Sequence, residues 1–219
     1  MSRLPAAVRI FYWFVFLACL APLLGMAWQM APLVGPLISP DLTFDYDGGL
    51  GPNPTESLIH ESGRTALVLL LATLAVTPIR RLTGWNRIQI VRRMVGVWSF
   101  VYALLHLSVY AGLNQLGNLA AIVDDVLKRR FIFVGMLTFT ILLALAVTST
   151  NGMMRRLGKR WQKLHRLVYV AGIAGIVHFM WGQKADIREP LQWGAFLAVL
   201  FAVRVFFWWK KRPSPSVTR

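Results

Sequence analysis

The chain has 219 residues, of which 56% are hydrophobic and 15% charged, and its 24 Lys and Arg outnumber its 9 Asp and Glu to leave a net charge of +15. Soluble domains usually carry about 25% charged residues; with a mean hydropathy of +0.54, this composition excludes a disordered chain, a coiled coil and a soluble enzyme with a charged surface. The single cysteine, Cys19, excludes a disulfide scaffold. A nucleic-acid binder is also basic but has no use for so much hydrocarbon, whereas a polytopic membrane protein accounts for both properties, because its cytoplasmic loops collect Lys and Arg.

A membrane helix needs roughly 20 mostly apolar residues, and in chain order the pattern predicts six: about 10–30, 64–79, 94–113, 131–148, 165–183 and 190–209. The first run is longer than a signal-peptide core and has no clear small-residue cleavage motif, so it reads as a retained helix. Pro78 and the Arg80-Arg81 pair are expected to end the second span, and the basic stretch from Arg80 to Arg93 is too polar to cross. Asp124, Asp125 and Lys128-Arg129-Arg130 precede the fourth span, Asn151-Gly152 follow it, and Gln183 to Pro190 separate the last two. No long linker, internal repeat or low-complexity segment is evident. The reading is one all-α domain over 1–219, a six-helix transmembrane bundle.

Charge sets the orientation. With the N-terminus in the cytoplasm, seventeen of the 24 Lys and Arg fall on the cytoplasmic side, Arg3, Lys211, Arg212 and Arg219 among them. Six fall opposite, Arg64, Lys128, Arg129, Arg130, Lys184 and Arg188, together with all nine acids, which include Asp41, Asp45 and Asp47. This bias predicts both termini in the cytoplasm. Arg204 lies within the last span, near enough to its end to snorkel.

Ionisable groups inside a span are costly and mark function by default. His106 sits mid-way along the third span and His178 deep in the fifth. Each lies 13 residues from its span's cytoplasmic entry, at Arg93 and His165 respectively, a rise of roughly 20 Å. Two neutral imidazoles at one depth on parallel helices suit bis-histidine ligation of a haem iron. Zn sites usually want more ligands, and no third His, Cys or carboxylate stands at that depth. At the inner level His165 meets Arg92 and Arg93. Arg92, 14 residues before His106, shares nearly one helix face with it and could pair with a haem propionate, a flavin phosphate or a lipid phosphate. Thirteen residues turn an ideal helix by about 1300°, so His165 and His178 point to different faces unless the helix is distorted between them.

Other readings stand beside these. A lone buried histidine is usually a packing residue; His165 could simply meet lipid headgroups, and His60 reads as a loop residue beside Glu61. Gly96, Gly172 and Gly175 could admit a flat macrocycle or let helices pack, and Trp98, Phe100, Tyr102, Tyr110, Tyr169 and Phe179 read as core. There is no C-x-x-C-H, P-loop or G-x-G-x-x-G, and Gly48-Gly49-Leu50-Gly51 follows no predicted strand. With no soluble nucleotide domain, electrons must come from another protein, a bound flavin or the quinone pool. Two rivals stay open: a cofactor-free small transporter with histidines in a proton relay, and a self-standing ferric or superoxide-type transmembrane reductase.

Several stretches carry a family resemblance: Gly51-Pro-Asn-Pro-Thr-Glu56, His60-Glu-Ser-Gly-Arg64, Leu74-Ala-Val-Thr-Pro78, Arg92-Arg93-Met-Val-Gly96, Leu105-His106-Leu107, Thr148-Ser-Thr-Asn151 and Leu157-Gly-Lys-Arg-Trp161-Gln-Lys-Leu-His165. On these the chain resembles the ferric-reductase-like transmembrane cytochromes, and within them the haem-binding membrane subunits of bacterial periplasmic methionine sulfoxide reductase systems. The superfamily holds two stacked b haems with two histidines on each of two helices. Here the fifth span keeps both, His165 and His178, while the third keeps His106 and has Arg92 where the other would stand. The resemblance therefore implies one haem b between His106 and His178, with a second at His165 left open, and a flavin mononucleotide (FMN) without a placed site. It further implies an inner-membrane protein that passes electrons, from the quinone pool or a cytoplasmic flavin reductase, to a periplasmic molybdopterin-dependent methionine sulfoxide reductase. No bond-making catalysis of its own and no nucleic-acid partner are expected; membrane lipids are.

Overall fold

A computed structural model describes residues 5–38, 52–183 and 186–210, without the side chains of 32–38. Arg3, Asp41, Asp45, Asp47, Lys184, Lys211, Arg212, Arg219 and the run Gly48-Gly49-Leu50-Gly51 lie outside the described residues. The described chain is helical, without a strand. Its helices are α1 (Ala6–Ile38), α2 (Pro54–Thr83), α3 (Gln89–Val109), α4 (Leu119–Lys128), α5 (Arg130–Val147), α6 (Asn151–Leu157), α7 (Lys159–His165), α8 (Leu167–Gly182) and α9 (Arg188–Lys210). A 3-10 turn, Asn86–Ile88, leads into α3, and a π-helical turn, Tyr110–Asn114, follows it. Six stretches are long and apolar enough to cross a membrane: Ala6–Ala31, Pro54–Thr83, Asn86–Asn114, Arg130–Val147, Lys159–Gly182 and Arg188–Lys210. Their number and order are those expected from the sequence.

The ends of α2 follow from local chemistry. The Asn53 side chain accepts the Glu56 backbone N–H, Pro54 opens the first turn, and Gly84, in the left-handed region at φ 73°, returns its N–H to the Arg80 carbonyl. The helix has 30 residues, about 45 Å, and outruns the roughly 30 Å of a bilayer's hydrocarbon. His60 is therefore helical rather than in a loop, one turn after Glu56, whose carboxylate is 3.9 Å away.

Pro78 does not end the span. The helix runs through it to Thr83. Proline has no N–H, so the Leu74 carbonyl, four residues earlier, loses its helical donor. Arg204 supplies the replacement. Its guanidinium reaches across from α9 to donate to the Leu74 carbonyl, and also donates to Leu200 of its own helix at 3.3 Å. It lies 5.3 Å from the Tyr169 ring centroid. The expectation that Arg204 snorkels to the membrane edge is corrected: the side chain turns inward to satisfy a backbone group that lipid could not.

Four helices form the bundle's centre. α2 packs on α3, α3 on α5, α5 on α8 and α8 on α2, so α3 and α8 face each other across a diagonal, as do α2 and α5. α9 covers α2 and α8, and α1 lies on α3. Leu67, Leu71, Leu74, Leu142, Ala171 and Leu197 fill one core. The fully buried Tyr102 donates its hydroxyl to the Cys19 carbonyl at 2.7 Å, and Ser99 donates to the Ala66 carbonyl at 2.8 Å, tying α1 and α2 to α3.

Arg204→Leu should cost about 1–3 kcal/mol by leaving the Leu74 carbonyl unpaired, and adding Pro78→Ala, which restores the helical donor, should recover most of the loss. Thermal unfolding of the detergent-solubilised variants reads this cycle. Equal losses with and without Pro78 would contradict the assignment.

Candidate functional site

The sequence singles out His106 and His178, and the fold brings them together. His106 projects from α3 and His178 from α8, across the diagonal of the central four helices, with ring centroids 6.1 Å apart and planes at 86°. Each ring is fixed by the neighbouring helix rather than its own. Nδ1 of His106 is 2.8 Å from the Ile59 carbonyl on α2, and Nδ1 of His178 is 2.7 Å from the Phe131 carbonyl on α5. A carbonyl only accepts, so both Nδ1 atoms carry the proton and donate. The tautomer this fixes leaves Nε2 with its lone pair free, as a metal ligand requires, and no hydrogen bond to either Nε2 occurs among the described residues.

In both halves the histidine lies 47 residues after its acceptor. The second pair stands 72 residues after the first: Phe131 answers Ile59, and His178 answers His106. This corrects the reading of a chain without a repeat. The hairpins α2–α3 and α5–α8 use one device twice, through backbone geometry that residue identities barely record.

His165 occupies a different environment. It ends α7, and the helix breaks at Arg166 before α8 begins, which supplies the interruption that the helical-phase argument asks for. Its ring stacks on Trp161 at 3.9 Å and 26°, and its Nε2 lies 3.1 Å from the Thr148 hydroxyl. Trp161 in turn donates its indole N–H to the Thr148 carbonyl. Arg92 is close enough to interact electrostatically with His165, whereas Arg93 turns away to the Asn151 side-chain oxygen and the Met154 sulfur. His165 and Arg92 thus share the inner level, apart from the His106–His178 pair. His60 is exposed beside Glu56 and takes no part in the pair. Arg64 pairs with Glu189 of α9 at 2.7 Å.

Sequence reasoning misses the clasp above the pair. The π turn begins at Tyr110, one turn beyond His106, and α5 begins beside Phe131, the acceptor of His178; α4 bridges the two. Asp125 of α4, only 9% exposed, accepts from the Tyr110 hydroxyl and the Gln115 amide at 2.7 Å each and pairs with Arg129 at 2.8 Å. An acid that reads as a loop charge joins α4 to the turn after α3 and to Arg129, which leads into α5. Its only trace in sequence is a polar residue opposite Leu119, Val123 and Leu127, all exposed. Among the described residues no group of three or more His, Cys, Asp or Glu is placed to hold a metal ion.

Comparisons with known proteins bear on this arrangement. The model of the family described as ferric reductase like transmembrane component matches residues 62–176. A Rhodospirillum rubrum protein named protein-methionine-sulfoxide reductase heme-binding subunit MsrQ is 47% identical over 192 residues, 87% of this chain and 85% of its own length. Proteins of the same name from Herminiimonas arsenicoxydans (46% over 172 residues; 77% and 79% covered) and Xanthomonas axonopodis pv. citri (40% over 204 residues; 93% and 88% covered) are also similar. Asp125→Ala should cost about 1 kcal/mol, because it strips the partner from Arg129 and from two part-buried donors. Trypsin should then cut more readily at Lys128 and Arg129; a cleavage rate equal to that of the unaltered chain would argue against the clasp.

Proposed function

This chain belongs to the ferric reductase like transmembrane component family and is a multi-pass membrane protein, and on that premise we propose that it is the haem b electron-transfer subunit of a methionine sulfoxide reductase system. The observation that carries the reading is the facing imidazole pair. A metal–imidazole bond is about 2.0–2.1 Å, and the rings of His106 and His178, with centroids 6.1 Å apart, are spaced as a pair that would share one metal ion between them. Both have the tautomer that frees Nε2. The relatives' printed names supply the haem and the methionine sulfoxide reductase.

Haem b bound there supplies one-electron chemistry, at a potential set by its ligands and its burial. The chain does the rest. His106 and His178 would hold the iron, the Ile59 and Phe131 carbonyls raise imidazole basicity and lock ring orientation, and the packed bundle keeps water away. The committed Nδ1 protons also disfavour a proton relay, which needs a ring free to exchange tautomers. Electrons enter from the quinone pool or a cytoplasmic flavin reductase, with FMN as a further carrier, and leave to a periplasmic molybdopterin-dependent enzyme that reduces methionine sulfoxide in oxidised proteins. The setting is the bacterial inner membrane with both termini cytoplasmic, and this subunit makes no bonds itself. A second haem at the inner level, between His165 and the Arg92 side, would require His165 to release Thr148; the reading commits to one haem, at His106 and His178.

His106→Ala and His178→Ala should each lose most of the haem from protein purified out of haem-replete cells, while His165→Ala should keep the low-spin haem of the outer pair. A full haem complement in either of the first two variants overturns the ligand assignment.

A further inference from the structure

The geometry points to Gly63 and Gly135 as positioning residues, each the seat against which one of the two imidazoles is set. Gly63 follows Ile59 by four residues on α2, and Gly135 follows Phe131 by four on α5, so acceptor and glycine share a face one turn apart. They stand at the same 72-residue offset as the histidines. A Cβ at Gly63 would lie 2.9 Å from Nδ1 and 3.0 Å from Cε1 of His106; a Cβ at Gly135 would lie 2.7 Å from both Nδ1 and Cε1 of His178. At each position the three nearest atoms all belong to that one ring.

These distances set the two glycines apart from others in the bundle. A Cβ at Gly96 would meet Thr73 at 3.5 Å, at Gly175 Leu67 at 3.4 Å, and at Gly194 Ile176 at 3.5 Å, ordinary contacts with side-chain methyls, and at Gly172 it would meet the flexible end of Leu74 at a tighter 3.1 Å. Glycine in a membrane helix often serves to bring two backbones together, but here the space is filled by an imidazole and not by the facing helix. Nor can the ring retreat freely. Its Nδ1 is tied to the carbonyl directly below the glycine, so a methyl at that point either breaks the hydrogen bond or swings Nε2 off its line. Each half therefore supplies both constraints on its own imidazole, a carbonyl that pulls and a glycine that makes room, and the two halves set the two ring orientations independently.

The spectral arm of the test rests on the haem reading; the steric arm does not. In the full-length protein purified with its haem, Gly63→Ala and Gly135→Ala should each speed haem transfer to excess apomyoglobin by about tenfold, the lower end of what outer-shell changes cost a bound metal. Both should shift the ferric low-spin electron paramagnetic resonance signal, while Gly96→Ala should leave rate and signal unchanged. The steric arm compares thermal stability in backgrounds that lack the ring. Gly63→Ala should destabilise the chain that has His106 and be neutral in His106→Ala, and Gly135→Ala should behave likewise with His178→Ala. If a single variant fails to accumulate, its double variant should accumulate. An unchanged signal and transfer rate in both glycine variants overturns the inference, as does equal destabilisation with and without the ring. Full haem in His106→Ala or His178→Ala overturns instead the haem reading, and leaves the steric comparison to decide the glycines.

Discussion

The structure turns on a hydrogen bond made twice, from an imidazole Nδ1–H to a backbone carbonyl on the neighbouring helix. In hydrocarbon a histidine without partners is expensive, so each ring must be satisfied inside the bundle. Using a helix carbonyl does this without a second ionisable group. It also settles the tautomer and fixes which edge of the ring faces inward. A bundle that holds two such rings across its diagonal leaves an Nε2 lone pair free on each.

That constraint explains features away from the rings. Both acceptors lie near the N-terminal ends of α2 and α5, so those ends must keep register with α3 and α8. The Asp125 clasp ties the turn after α3 to the segment that leads into α5. Lower in the bundle, Arg204 mends the gap that Pro78 leaves in α2, the same helix that carries Ile59. Charge inside this membrane domain is spent on backbone and on joints, while the central site itself is neutral.

Counting alone places His106 and His178 at one depth, because both spans start at recognisable charged borders and a helix rises by a constant amount per residue. The six apolar runs are legible for the same reason. Partners are not. Nothing in the identity of Ile59 or Phe131 announces a carbonyl that will accept an imidazole, since every residue carries one. Pro78 reads as a stop signal because the local rule is sound, and only a guanidinium 126 residues further on overrides it. His60 reads as a loop residue because α2 outruns the apolar segment that defines it in sequence. The internal repeat hides because it keeps the positions of backbone groups, two glycines and two histidines among side chains that mostly differ.

Nearly perpendicular imidazole planes leave a mark on a ferric iron held between them. Low-temperature electron paramagnetic resonance of the oxidised, haem-loaded protein therefore tests the central claim most directly. Ligation by His106 and His178 at their observed 86° predicts the strongly anisotropic low-spin signal of crossed axial imidazoles. A high-spin signal, or the rhombic low-spin signal of coplanar rings, would contradict it.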